Sequence, residues 1–199
     1  MIRRLILAGT VALAVAASPA QAQTTEVAGV KFDDSMQLAN TKLLLNGAGV
    51  RYKFVVKVYA AGLYLAGKAA TPEAVLAAAG PKRMHIVMLR EIDGNELGKL
   101  FTRGMEDNST REEFSKAIAG TIRVSEIFSM RKRLYAGEHF SIDWIPGVGT
   151  QMTVVGKPAG EPIKEPEFFA AMMRIWLGKS PADAQLKDAL LGKVRSTNN

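Results

Sequence analysis

The chain has 199 residues, is 48% hydrophobic and carries a formal net charge of +7 with no cysteine. That is enough for one domain with its own core, and too apolar for disorder. The lack of cysteine excludes disulfides, thiolate chemistry, iron–sulfur clusters, Cys-type zinc sites and a lipoprotein anchor. The basic residues are dispersed, so nucleic acid is not an expected partner, while an anionic ligand or anionic membrane surface agrees with the sign of the charge.

The start, Met1-Ile2-Arg3-Arg4, is cationic and is followed by an apolar run over residues 5–17. Pro19 ends the run, and Ala20-Gln21-Ala22 puts small residues where a signal peptidase cuts. Residues 1–22 are therefore expected to be a cleavable signal peptide and residues 23–199 a single exported domain. The bacterial character of the signal points to the periplasm. No later stretch approaches the roughly 20 apolar residues of a membrane span.

Residues 26–32 read as a short strand. Residues 43–45 form another, closed by the turn signal Asn46-Gly47 and a loop at Gly47-Ala48-Gly49. From 50 to 59 apolar residues alternate with Arg51, Lys53, Lys57 and Tyr59, which predicts one half-buried strand, continued by 63–65. Thr71-Pro72-Glu73 opens an Ala-rich helix that Gly80-Pro81 closes. Residues 83–89 alternate as a strand. Asp93 caps a helix with Leu97, Leu100, Phe101 and Met105 at helical spacing. Ser109 or Thr110 caps the next, whose stripe is Phe114, Ile118, Ile122 and Phe128, filled in by Ala117 and Val124. Residues 139–155 form a hairpin turning at Pro146-Gly147-Val148-Gly149. After a loop at 158–166, a helix over 168–177 carries Phe169, Met172, Met173 and Trp176, and Pro181 opens a last helix with Leu186, Leu190 and Val194. Residues 196–199 read as a frayed tail. The order predicts an α+β fold, an antiparallel sheet covered on one face by helices.

Signals for chemistry are few. His85 and His139 lack metal-ligand spacing and read as strand residues. There is no nucleophile elbow and no phosphate loop, and Gly47-x-Gly49 lacks the rest of a dinucleotide fingerprint, so no cofactor is expected. Glu112-Glu113 is an adjacent pair and suits a helix start better than acid/base work. Arg51 stands out: it follows two glycines, shares a strand face with Tyr59, and a guanidinium can clamp a carboxylate with paired donors. A solvated face of Arg51, Lys53 and Lys57 is the plainer reading of the same periodicity.

Gly47-Ala48-Gly49-Val50-Arg51 followed by Val58-Tyr59-Ala60-Ala61-Gly62-Leu63-Tyr64-Leu65 resembles the opening of the chalcone isomerase fold family. Ile175-Trp176-Leu177-Gly178-Lys179-Ser180-Pro181, with Leu186-Lys187 and Leu190-Leu191-Gly192, resembles its C-terminal helix pair. The similarity runs over about 26–194 and is greatest to exported bacterial members. It implies an open-faced β-sandwich, a sheet packed under a helical layer. Plant members close chalcones to flavanones, and fatty-acid-binding members hold a carboxylate with the arginine and a tyrosine.

Carried over residue by residue, the resemblance puts the family arginine at Arg51 and the carbonyl-polarising threonine near Tyr59. The helix tyrosine falls at Phe114, the helix asparagine near Thr121 and a late threonine near Ile175. Only the arginine keeps its type. The implied ligand-binding set is Arg51, Tyr59, Phe114 and Thr121, in a cleft lined from among Tyr59, Leu63, Phe101, Phe114 and Ile118. Cyclisation needs several donors on an oxyanion, so the expected function is non-catalytic binding of a small amphiphilic anion, a fatty acid or an aromatic acid. An isomerase of the intramolecular lyase type with a rearranged site, and an envelope interaction protein without a small ligand, are the alternatives.

Overall fold

The computed structural model of the chain describes residues 23–193. The expected signal peptide, Val194 and the 196–199 tail lie outside the described residues.

The chain begins with a small hairpin, β1 (Thr24–Val27) and β2 (Val30–Asp33), then runs through β3 (Ser35–Leu38), β4 (Thr41–Lys53) and β5 (Val56–Leu65). Helix α1 (Pro72–Ala77) leads to β6 (Lys82–Met88) and the two-residue β7 (Ile92–Asp93). Helices α2 (Gly94–Glu106) and α3 (Arg111–Arg131) follow, then β8 (Arg133–Leu134). The hairpin β9 (His139–Ile145) and β10 (Gly149–Val154) leads through β11 (Lys157–Pro158) to α4 (Pro166–Leu177) and α5 (Ala184–Leu190). Seven strands make one sheet in the order β11-β10-β9-β6-β5-β4-β3, and every neighbouring pair is antiparallel. The α+β expectation holds.

Helix starts follow the capping chemistry. The Asp93 carboxylate accepts the Glu96 N–H at 3.1 Å, and Thr110 and Glu113 form a reciprocal capping box on α3. The main core lies between sheet and helices. Eight of the 12 residues of α4 are buried. Phe101 meets Phe128, Phe140 and Trp176 with ring centroids 5.3, 6.0 and 5.7 Å apart, edge-on or tilted contacts worth about 0.5–1.5 kcal/mol each beyond area burial. A second cluster, Phe32, Leu43, Leu45, Ala60 and Tyr64, lies where the β1–β2 hairpin covers the other face. Strand β5 is thus buried on both sides, with Tyr59, Ala61, Leu63 and Leu65 toward the helices and Ala60 and Tyr64 toward the hairpin.

Several expectations change. Residues 26–32 are not one strand but parts of two, β1 and β2, which reverse at Ala28-Gly29. Asn46-Gly47 is not a turn, because β4 continues through it with a bulge between Leu45 and Gly47. Asn46 is instead a buried clamp: its Nδ2 donates to the carbonyls of Ala69 and Leu190, and its Oδ1 accepts the Ala69 N–H. Nor is 50–59 one strand, since the chain reverses at Phe54-Val55 and Lys53 pairs with Val56. On α3 the buried stripe is Ala117, Gly120, Thr121, Val124 and Phe128, while Ile118 and Ile122 are 47% and 56% exposed. Small residues win there because α3 lies close against its neighbours: a Cβ on Gly120 would come within 2.4 Å of the Phe168 ring. The last helix is capped by Asp183, which accepts the N–H groups of Gln185 and Leu186, and starts after Pro181.

Candidate functional site

Alternation along β4 puts Gly47, Gly49 and Arg51 on one face. Helix α5 lies over the two glycines. A Cβ on Gly47 would sit 2.0 Å from the Ala189 carbonyl oxygen, and one on Gly49 2.7 Å from the Ala189 Cβ. The glycines therefore seat a helix. Where α5 begins, Asp183 accepts the Tyr52 N–H at 2.8 Å, and beyond it the space above Arg51 is open.

The hairpin brings Arg51 opposite Tyr59 in register. A bulge between Arg51 and Tyr52 breaks the pairing beside them, a device that re-aims side chains near sites. The Arg51 guanidinium carbon lies 5.8 Å from the centre of the Tyr59 ring. Arg51 is half-buried and takes part in none of the ion pairs among the described residues. Tyr59 is 3% exposed, and its phenol oxygen accepts the Trp176 indole N–H at 2.8 Å. Burial pushes the phenol up to about 12, against the opposing pull of Arg51. Tyr59 is thus neutral at physiological pH, with its lone pair engaged and its own proton free to donate.

These two groups border a cleft of about 200 Å³. Its walls are Val58, Leu97, Phe101 and Ile175, with Leu100 and Ile92 toward the outside and Arg103, Asp107 and Ser180 exposed at the rim. The arrangement offers a cation and a neutral hydroxyl donor at one end of an apolar slot, which suits a carboxylate with an apolar body.

The sequence profile described as chalcone isomerase-like matches residues 24–192. The chain belongs to the chalcone isomerase-like family. No curated protein matches it. Among solved structures, the crystal structure of the Arabidopsis thaliana fatty-acid binding protein AtFAP1 superposes with a TM-score of 0.66 at 14% identity, covering 82% of this chain and 92% of that one. At that identity the likeness establishes the fold.

In this chalcone isomerase-like chain Phe114 and Thr121 do not join Arg51 and Tyr59. They line a separate open groove of about 780 Å³ between α2 and α3, together with Ile118 and Ile122. Thr121 is 4% exposed and its hydroxyl donates to the Ala117 carbonyl at 2.9 Å. The helix that borders the Arg51 cleft is α2, through Leu97, Leu100, Phe101 and Gly104. Gly104 is where Ile175 comes closest, 3.2 Å from a built Cβ. Tyr59, Phe101 and Ile175 line the cleft, whereas Leu63 is core. Of α2, sequence reasoning named only Phe101 and missed Leu97, Leu100 and Gly104; it also missed Trp176 as the partner that orients Tyr59, because the indole sits in a helix stripe that reads as core packing alone.

His85 and His139 lie together on the sheet face away from this cleft, with ring centroids 5.5 Å apart. Among the described residues no group of three His, Cys, Asp or Glu gathers as a metal site requires.

Proposed function

We propose that this protein is an exported, non-catalytic binder of a compact amphiphilic carboxylate, held head-first by Arg51 and Tyr59 with its apolar body between Leu97, Phe101 and Ile175. The observation that carries the reading is Arg51 itself. A half-buried guanidinium with no ion pair among the described residues, 5.8 Å from the centre of the ring of a buried neutral phenol, retains donors that a carboxylate satisfies in paired fashion. The fatty-acid binding description of the Arabidopsis structure agrees with that ligand class. A cleft of about 200 Å³ is below the ~300–1,000 Å³ of drug-sized sites, which favours a short or aromatic acid over a long acyl chain. Leu97, Gly104 and Ile175 bring no side-chain donor, and the donors of Arg103 and Ser180 stand at the exposed rim, so charge developing on a reacting oxygen inside the cleft would meet little beyond Arg51 and Tyr59. That favours binding over isomerisation.

Native mass spectrometry of the freshly purified protein tests it. An added mass matching an organic acid is expected, and its loss in Arg51→Ala. If neither protein carries a ligand and neither takes up short or aromatic acids, the reading fails. Export is tested separately, by cell fractionation and sequencing of the N-terminus, which should begin at Gln23.

A further inference from the structure

The β4–β5 hairpin ends in Lys53-Phe54-Val55-Val56, and its tip runs against two habits of folded chains. Phe54 is 93% exposed and Val55 90%, the highest values among the large apolar side chains of the described residues. Phe54 also has a φ of 56°, the left-handed region that two-residue hairpin turns fill with Gly or Asn. A glycine would form this turn with less strain, and a polar residue would be more soluble. With nothing covering the tip, packing within the described fold does not explain either choice.

The neighbours make the patch amphipathic. Tyr52 and Val56 are 37% and 41% exposed. Lys53 and Lys57 are exposed and enter no ion pair among the described residues. Apolar side chains projecting from a turn, with ammonium groups just behind them, match a bilayer boundary. The rings and branched chains enter the acyl–headgroup zone while the lysines stay at phosphate level. A protein-binding patch would be broader and poorer in lysine.

We propose that the β4–β5 tip docks this protein on anionic phospholipid bilayers, Phe54 and Val55 entering the interface and Lys53 and Lys57 meeting headgroup phosphates. Arg51 lies three residues up the strand, so docking tip-down holds the cleft about 10 Å from headgroup level. The docking stands independently of what the cleft contains.

Vesicle co-sedimentation tests it, using the processed protein with phosphatidylcholine alone or mixed with phosphatidylglycerol. Wild type is expected to pellet with the mixed vesicles, far less with phosphatidylcholine, and to be released by salt. Phe54→Gly with Val55→Ser should weaken binding at least about tenfold, with no loss of thermal stability because turn strain is removed. Lys53→Gln with Lys57→Gln should weaken it about fivefold per lysine. Wild type left in solution with mixed vesicles, or the Phe54/Val55 variant pelleting as well as wild type, overturns the proposal. So does a wild-type dimer that this variant converts to a monomer without any vesicle binding, because the occupant is then a second copy of the chain.

Discussion

Arg51 and Tyr59 face each other across the β4–β5 ladder, the guanidinium carbon 5.8 Å from the centre of the phenol ring. The pair is fixed from three sides. The hairpin sets its register, α5 on Gly47 and Gly49 fixes the strand beneath it, and Trp176 holds the phenol oxygen.

The Trp176 contact makes Tyr59→Phe informative. Removing the hydroxyl leaves a buried indole N–H without its acceptor, which costs about 1–3 kcal/mol. Denaturant unfolding should show that loss, and carboxylate affinity should fall as well. Unchanged stability would mean that the 2.8 Å hydrogen bond is not formed in solution.

The seating of α5 predicts a contrast between two glycines. Gly47→Ala puts a methyl group 2.0 Å from the Ala189 carbonyl oxygen, so strand and helix must part. About 1–3 kcal/mol of stability should be lost, and ligand affinity with it, since the cleft begins where α5 ends. Gly67→Ala meets nothing within 4 Å and should leave the melting temperature nearly unchanged. Equal effects at the two sites would contradict the seating role.

On the opposite sheet face, Arg83 and Asp143 form a bidentate pair, Nε to Oδ1 at 2.6 Å and Nη2 to Oδ2 at 2.5 Å. Asp143 is 2% exposed. Burial raises its carboxyl above the usual range, with Arg83 pulling the other way. Arg83→Met strands a buried carboxylate and should cost about 3–5 kcal/mol, while adding Asp143→Leu should recover most of the loss. A double variant as unstable as the single would show that the charge pair is not what the fold depends on.

His85 supplies a pH dependence. Burial, then the neighbouring His139 and Arg83, lowers its imidazole from 6.5 to about 4. The unfolded chain therefore takes up this proton first, so the group's contribution is complete above about pH 6.5 and falls away as pH drops toward 4. The loss is on the order of 2–3 kcal/mol. Denaturation midpoints measured across that window should fall for wild type and flatten for His85→Leu.

Much of the architecture was legible in the sequence because period and capping agree. Asp93, Thr110 and the 139–155 hairpin each announce their element locally. The β4–β5 hairpin was not legible, because Phe54-Val55 has none of the Asn or Gly that marks such a turn, while Asn46-Gly47 does and is used as a clamp. Arg51 and Tyr59 share a face in either reading, along one strand or across two, so the pair survived the error in topology. Phe114 was drawn toward the site by a motif match on α3; α2 is the helix that closes the cleft, since Gly104 lets Ile175 approach. The exposed Ile118 and Ile122 show the limit of a hydrophobic stripe as a guide to burial: close helix packing selected Gly120 and Ala117 instead.

The central claim is that Arg51 reads the negative charge of the ligand. Titration calorimetry of an aromatic carboxylic acid and its methyl ester, on wild type and on Arg51→Gln, measures that directly. The acid should bind wild type about 10- to 100-fold more tightly than the ester, from charge-assisted bonds worth ~1.5–3 kcal/mol, and the difference should vanish in the variant. Equal binding of acid and ester by wild type, or a preference for the acid that persists in Arg51→Gln, would contradict the account.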